Sequence, residues 1–274
     1  MVDRYAVIGN PVAHSKSPLI HSAFAQATRQ AMSYELLPAP LDGFNATVER
    51  FVSEGGRGLN VTIPFKLEAF ALAGETSVRA QSAGACNTLM WRDDHWYGDN
   101  TDGAGLVRDL VQNLGAAISG RQLLVYGAGG AARGILGPLL AQHPRRIALV
   151  NRTREKADRL AAQFAARGSV VSAPIHELRG ERFDIAINAT SIGLGSDVPA
   201  GVWGSNVLAP GALAYDLVYA DEPTPFARWG EAHGASRTAD GIGMLIEQAA
   251  ESFLLWRGVR PDSDALFSLL RPRK

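Results

Sequence analysis

The sequence predicts an α/β chain in two parts, each built on a mostly parallel sheet. Three observations predict it. Short apolar, β-branched runs alternate with helical patterns almost throughout, as in parallel strands joined by crossover helices. The alternation breaks once, where two runs flank Asp93-Asp94 and read as an antiparallel hairpin over residues 87–98. A new strand–helix series then starts at Leu123, after a helix over about 103–114 and a loop over 115–120. The division is expected in that helix, giving a first domain of residues 1–103 with 242–274 and a second of 104–241.

Taken in order, residues 5–8 read as a strand. Residues 17–27 read as a helix, with Ile20, Ala23, Phe24 and Ala27 at i, i+3, i+4 and i+7. Ser17 is its expected N-cap and Pro18 its first helical residue. Residues 34–37 form a second strand, 44–53 a second helix and 58–63 a third strand. Beyond the hairpin, strands are expected at 123–126, 147–150, 170–171, 183–188 and 213–217. A last helix over 242–256 is apolar along one side. It is expected to return to the first domain, because that face needs a partner.

Composition bounds the function. The 274 residues carry 27 Lys+Arg and 27 Asp+Glu, a formal net charge of 0, which argues against a nucleic-acid-coating protein. With 46% hydrophobic and 20% charged residues, the chain is an ordinary globular mixture. The one cysteine, Cys86, excludes an intramolecular disulfide framework and a multi-cysteine metal site, and fits a reducing compartment. No apolar run approaches the length of a membrane span, and the first residues lack the apolar core of a signal peptide. A soluble cytoplasmic protein is expected.

The strand at 123–126 runs into Gly127-Ala128-Gly129-Gly130-Ala131-Ala132 and then a helix to about residue 141. This is G-x-G-x-x-A in its strand–turn–helix setting. Such a turn lets backbone approach a pyrophosphate, which the helix N-terminus then holds. The plain alternative is a structural glycine turn. The favoured reading makes the second domain a Rossmann-type dinucleotide-binding unit. The next strand ends in Asn151-Arg152-Thr153-Arg154-Glu155-Lys156. An NAD site usually carries a carboxylate at that strand end. Here Arg152, Thr153 and Lys156 would instead suit a 2′-phosphate, pointing to NADP. A solvated basic helix start is the bland reading.

In the first domain, Ser15 and Ser17 stand at a helix entrance after a strand end, where ligands of parallel sheets collect. In the third strand Asn60 and Thr62 alternate with Leu59, Val61 and Ile63 and so share a face, next to Lys66. Asn87 begins the hairpin and Asp99-Asn100-Thr101-Asp102 ends it. A polyhydroxylated ligand would want such a set, since each hydroxyl taken from water needs a partner. Singly, Asn87, Asp99 and Asn100 also fit as turn residues, Lys66 as a surface lysine and Asp102 as a helix cap.

These residues resemble those of the shikimate dehydrogenase family over essentially the whole chain. The matching stretches are Gly9-Asn10-Pro11 through Ser15-Lys16-Ser17-Pro18, Asn60-Val61-Thr62-Ile63-Pro64-Phe65-Lys66 and Gly84-Ala85-Cys86-Asn87-Thr88. They continue with Gly98-Asp99-Asn100-Thr101-Asp102-Gly103, the glycine turn, Asn151-Arg152-Thr153, Asn188-Ala189-Thr190-Ser191, Tyr215-Asp216-Leu217-Val218-Tyr219 and Asp240-Gly241-Ile242-Gly243-Met244-Leu245. The resemblance implies reversible oxidation of shikimate to 3-dehydroshikimate with NADP, in aromatic amino-acid (chorismate) biosynthesis. It implies that Ser15, Ser17, Thr62, Asn87, Asp102 and Gln248 hold shikimate, with Asn60 beside them. Lys66 would move the proton, with Asp102 next to it. NADP would contact Gly127, Ala128, Gly129, Gly130, Ala131, Asn151, Arg152, Thr153, Arg154, Lys156, Leu217, Gly241 and Met244. Tyr219 would lie between the two ligands. No metal, nucleic acid or membrane is expected, and a homodimer is left open.

Two departures from the family pattern touch none of these residues. Cys86 stands where an apolar residue is common, and a carboxylate seen near position 78 in some members is absent. A quinate/shikimate or aminoshikimate dehydrogenase is the alternative within the resemblance. NAD-using quinate enzymes tend to carry an acidic residue where this chain has Arg152-Thr153. An inactive NADP-binding regulator is the alternative of another class, and Lys66 with Asp102 speaks against it.

Overall fold

The computed structural model describes residues 2–192, 198–199 and 201–270. The chain separates into two compact units, Met1–Gly105 with Leu245–Lys274, and Leu106–Met244.

The first unit contains β1 (Asp3–Gly9), α1 (Ser17–Thr28), β2 (Met32–Pro38), α2 (Phe44–Ser53), β3 (Gly56–Val61), α3 (Lys66–Leu72), β4 (Glu75–Thr76), α4 (Val78–Ala83), β5 (Thr88–Arg92), β6 (His95–Asp99) and the start of α5 (Asp102–Arg108). Its sheet runs in the order β2-β1-β3-β5-β6-β4. β1 pairs parallel with β2 and β3, while β5 pairs antiparallel with β3 and β6. Asp93 and Asp94 make the hairpin turn with φ of 48° and 58°, a left-handed pair that Asp tolerates better than most residues. Alternation along β1 sends Ala6 and Ile8 into a core with Val48, Phe51, Leu59 and Phe65. On the sheet's other face, Tyr5 packs on Trp256, ring centroids 4.7 Å apart.

In the second unit the helix begun as α5 widens into a π-helical turn over Asp109–Asn113, with Leu114 N bonded to Asp109 O at 2.9 Å. The single regular helix expected over 103–114 is therefore α-helical only to Arg108. There follow β7 (Gln122–Tyr126), α6 (Gly130–Leu140), β8 (Arg146–Val150), α7 (Arg154–Phe164), β9 (Val170–Ser172), β10 (Phe183–Asn188), β11 (Leu208–Asp216), α8 (Pro225–Ala232), β12 (Arg237–Ala239) and the start of α9 (Ile242–Arg257). From Leu245 on, α9 belongs to the first unit, as does α10 (Asp264–Leu270). The second sheet is parallel throughout, in the order β12-β11-β10-β7-β8-β9. Counted from β7, this is the 3-2-1-4-5-6 order of the Rossmann fold, whose switch point lies between β7 and β10. Leu123 and Val125 enter one core and Leu124 and Tyr126 the other, so β7 is covered on both faces.

Two local expectations are corrected. Ser17 is the first residue of α1 rather than its cap; Lys16 precedes it, and no side chain caps that end. Instead the Ser17 N–H donates to Ser15 Oγ at 3.2 Å. β3 stops at Val61, short of residue 63. Pro64 has no N–H for a ladder, and Ile63 turns out to 69% exposure.

Candidate active site

In the first unit the end of β3, the start of α3 and the start of α5 meet. Lys66 opens α3 and Asp102 opens α5. Lys66 Nζ donates to Asp102 Oδ2 at 2.5 Å, with the lysine side chain 27% and the aspartate side chain 10% exposed. The second carboxylate oxygen, Asp102 Oδ1, accepts from Asn87 Nδ2 at 2.8 Å.

The orientation of Asn87 is unambiguous. Its Oδ1 accepts the backbone N–H of Thr101 at 2.8 Å, a group that can only donate. Its Nδ2 therefore faces Asp102, Thr101 Oγ1 and Gln248 Oε1. Gln248, on α9, is anchored in turn by Nε2 donating to Leu245 O at 2.9 Å. Behind the loop, Asp99 holds Asn100 N at 2.7 Å and takes a two-pronged contact from Arg79 at 2.7 and 2.6 Å. Asn87, Asp102, Gln248 and Lys66 thus form one cluster.

Ser15 and Ser17 lie together, Oγ to Oγ at 3.1 Å. Thr62 is half-buried just past β3. Asn60 goes elsewhere. Its Oδ1 accepts from Tyr34 Oη at 2.7 Å and faces His21 Nε2 at 3.0 Å, while its Nδ2 donates to Ser252 Oγ at 2.9 Å. Its amide meets protein partners and ties α1, β2 and α9 to β3. His21 is fully buried, stacked on Tyr34 at 4.2 Å, and burial lowers its pKa to about 3. Cys86, buried beside the cluster, has its thiol pushed up to about 12 by burial, and so acts as an apolar filler.

The sequence pattern includes Thr101 only within the stretch that ends the hairpin and gives Thr88 and Ser252 no part in this network. Thr88 Oγ1 donates to Asn87 Oδ1 at 2.9 Å and lies 2.8 Å from Ser252 Oγ. The adjacency of Thr88 to Asn87 and of Thr101 to Asp102 was the available signal; Ser252 left none.

In the second unit the glycine turn sits at the switch point. Gly127 has φ of +113°, and a Cβ there would stand 2.7 Å from Ala189 O. Neither a left-handed conformation nor that contact suits another residue. At Gly129 and Gly130 a Cβ would meet nothing within 4 Å. Both glycines and Ala131 are exposed at the start of α6, while Ala128 and Ala132 are buried. The first amides of a helix have no intrahelical acceptor, so this edge can receive a pyrophosphate. The residue types and their surroundings fit a dinucleotide.

At the end of β8, Asn151 Nδ2 donates to Thr153 O at 2.8 Å and shapes the turn into α7. Arg152, Thr153 and Lys156 are exposed, and among the described residues none of them is in an ion pair. Arg154 leans on Glu177 at 3.5 Å and Asp158 at 3.8 Å, so its charge is partly spent locally. Gly241 packs on Leu217, whose carbonyl oxygen would lie 2.2 Å from any Cβ. The Met244 N–H faces Tyr215 Oη at 3.2 Å. Tyr219, half-buried, has its phenol pKa raised by burial.

A parallel sheet of this order with a glycine turn at its switch point, on a chain that also carries a partly buried lysine–carboxylate pair, defines a dinucleotide-dependent oxidoreductase. Comparison with known proteins makes the class particular. Residues 7–89 match the family profile described as the shikimate dehydrogenase substrate binding domain, 109–193 that of shikimate / quinate 5-dehydrogenase, and 241–266 that of the shikimate 5'-dehydrogenase C-terminal domain. The NADP(+) shikimate dehydrogenase of Alkalilimnicola ehrlichii is 52% identical over 99% of this chain and 100% of its own length. The crystal structure of an Ael1 enzyme from Pseudomonas putida superposes with a TM-score of 0.89 at 46% identity, covering 98% of both chains. A Thermus thermophilus shikimate 5-dehydrogenase in complex with NADP(H) and shikimate superposes at 0.84 with 32% identity, covering 97% of both. The chain belongs to the shikimate dehydrogenase family. Among the described residues no helix is long and apolar enough to cross a membrane.

Proposed function

We propose that this chain catalyses the reversible, NADP-dependent oxidation of shikimate to 3-dehydroshikimate, a step of aromatic amino-acid biosynthesis. The observation that carries the reading is the 2.5 Å contact of Lys66 Nζ with Asp102 Oδ2 inside the Asn87–Gln248 network. That network lies on the unit matched by the substrate binding domain, with a dinucleotide turn on the other. The first unit holds shikimate and the second NADP.

Bound NADP supplies the chemistry of hydride acceptance. The chain's residues orient the alcohol and manage its proton. As a neutral amine, Lys66 takes the hydroxyl proton in the oxidative direction; as ammonium it returns that proton to the carbonyl oxygen. Asp102 holds the Lys66 nitrogen in place and is itself fixed by Asn87. Ser15, Ser17, Thr62, Asn87 and Gln248 offer the hydroxyl and amide groups that a carboxylated, polyhydroxylated ring requires. Arg152 and Thr153, with Lys156, favour the 2′-phosphate of NADP over NAD. The reaction runs in the cytoplasm in this reading, and sedimentation would measure whether the chain dimerises.

The test is absorbance at the NADPH band with shikimate, quinate or no substrate, each with NADP and with NAD. Shikimate with NADP should turn over fastest, and quinate should lag by more than tenfold in kcat/KM. Each polar group that a poorer analogue leaves unpaired costs about 1–3 kcal/mol. No reduction with shikimate and NADP would overturn the reading.

A further inference from the structure

At the carboxyl edge of the second sheet, β10 ends in Asn188 and β11 in Asp216, which are register partners. Both are buried, at 0% and 1% exposure. Asn188 Nδ2 donates across the strands to Asp216 Oδ1 at 2.9 Å. Each side chain also turns back to hold the loop that follows its own strand. Asn188 Oδ1 accepts from Thr190 N at 3.2 Å and Thr190 Oγ1 at 2.6 Å. Asp216 Oδ1 accepts from Val218 N at 3.1 Å. The backbone Leu217 N to Asn188 O bond, at 3.0 Å, lies beside them.

The two loops held this way are those against which two glycines pack. Ala189 O, one residue after Asn188, is the atom that excludes a side chain at Gly127. Leu217 O, one residue after Asp216, is the atom that excludes a side chain at Gly241, whose own N–H donates to Val218 O at 3.0 Å. A buried carboxylate is costly unless it is well bonded. Burial indeed raises the Asp216 pKa, against the opposing hydrogen bonds of Val218 and Asn188, both on Oδ1, while Oδ2 has no hydrogen-bond partner among the described residues.

We propose that Asn188 and Asp216 are positioning residues for the dinucleotide: their cross-strand bridge sets the spacing of the Ala189 and Leu217 loops, and through them the glycine turn and Gly241. This rests on the reading that the second unit binds NADP. The bridge needs one amide and one carboxylate, but not in a given order, since either side chain can accept from the loop N–H two residues on.

The test is a fluorescence titration with NADPH, alongside KM for NADP and for shikimate. Asn188→Asp sets two carboxylates face to face. It should raise the NADPH Kd and the KM for NADP by tenfold or more, with KM for shikimate within threefold. Asn188→Asp combined with Asp216→Asn rebuilds the bridge in reverse and should bring the NADPH Kd back to within threefold of wild type. A merely structural pair would lower the melting temperature in Asn188→Asp and leave the Kd unchanged, which would overturn the proposal. If Asn188→Asp does not fold, the reversed pair decides: folded but more than tenfold weaker for NADPH, it contradicts the bridge. Wild-type protein that binds no NADPH would instead defeat the underlying reading of the second unit.

Discussion

The cluster around Lys66 and the edge around the glycine turn are built in opposite ways. In the first unit, Asn87, Thr88, Thr101 and Gln248 are all buried, and their polar atoms pair mainly with one another. In the second, Gly129, Gly130, Arg152 and Thr153 are exposed, and what they present is backbone N–H plus side chains on short turns. One region is preorganised by side-chain bonds, as chemistry at a single proton demands. The other is shaped by missing side chains and by exposed charge, as suits a long, charged cofactor. Substitutions of Lys66 or Asp102 in the first region should therefore act on kcat, and substitutions in the second on cofactor affinity.

The sharpest way to break this contrast is Lys66→Ala. General acid–base catalysis contributes about 10²- to 10⁴-fold, so kcat for shikimate should fall by that much while its KM moves less than about tenfold. A near-normal kcat with a raised KM would make Lys66 a binding residue only. Next in size is Arg152→Ala. A charge-assisted contact to phosphate is worth roughly 1.5–3 kcal/mol, or about 10- to 150-fold. The NADP preference over NAD should shrink by that factor with kcat preserved. An unchanged ratio would place the 2′-phosphate elsewhere.

A smaller effect tests how tightly the first unit is packed, through stability. His21 is neutral in the fold, with a pKa of about 3, while the unfolded chain titrates near the ordinary value of roughly 6.5. Below that pH the unfolded state takes up a proton that the folded state refuses. His21 therefore leaves stability whole above about pH 6.5 and erodes it as pH falls toward 3. Between pH 7 and 5 the loss should be about 2 kcal/mol. Denaturant unfolding of wild type and His21→Gln at both pH values measures it. Equal pH slopes in the two proteins would show that His21 titrates freely.

Much of this was legible in the sequence, for reasons that differ by residue. The glycine turn announced itself, because a strand period running straight into G-x-G-x-x-A and a helix has few other uses. The strand–helix alternation likewise pointed to a mostly parallel sheet flanked by helices, but it carried no strand order. Lys66, Asp102 and Asn87 were different. Spacing alone left them as one candidate ligand set, with surface, cap and turn readings for each taken singly, and the family resemblance gave them particular roles. Asn60 shows where pattern reading stops. Alternation put it on the face of Thr62, but its partner Ser252 lies 192 residues away. Tyr34 and His21 reach it from other elements, and no local period encodes such a meeting. The two-residue β4 and the π-helical turn at Asp109 depend likewise on tertiary partners rather than on local propensity.

The most direct measurement is kcat for shikimate oxidation in Lys66→Ala, Asp102→Asn and the double variant. If the 2.5 Å pair acts as one proton-handling unit, Asp102→Asn alone lowers kcat, and the double variant is no more than about threefold below Lys66→Ala, because groups acting together give non-additive losses. Losses that multiply across the two substitutions would mean that Lys66 and Asp102 act independently, and would contradict the pair as the centre of catalysis.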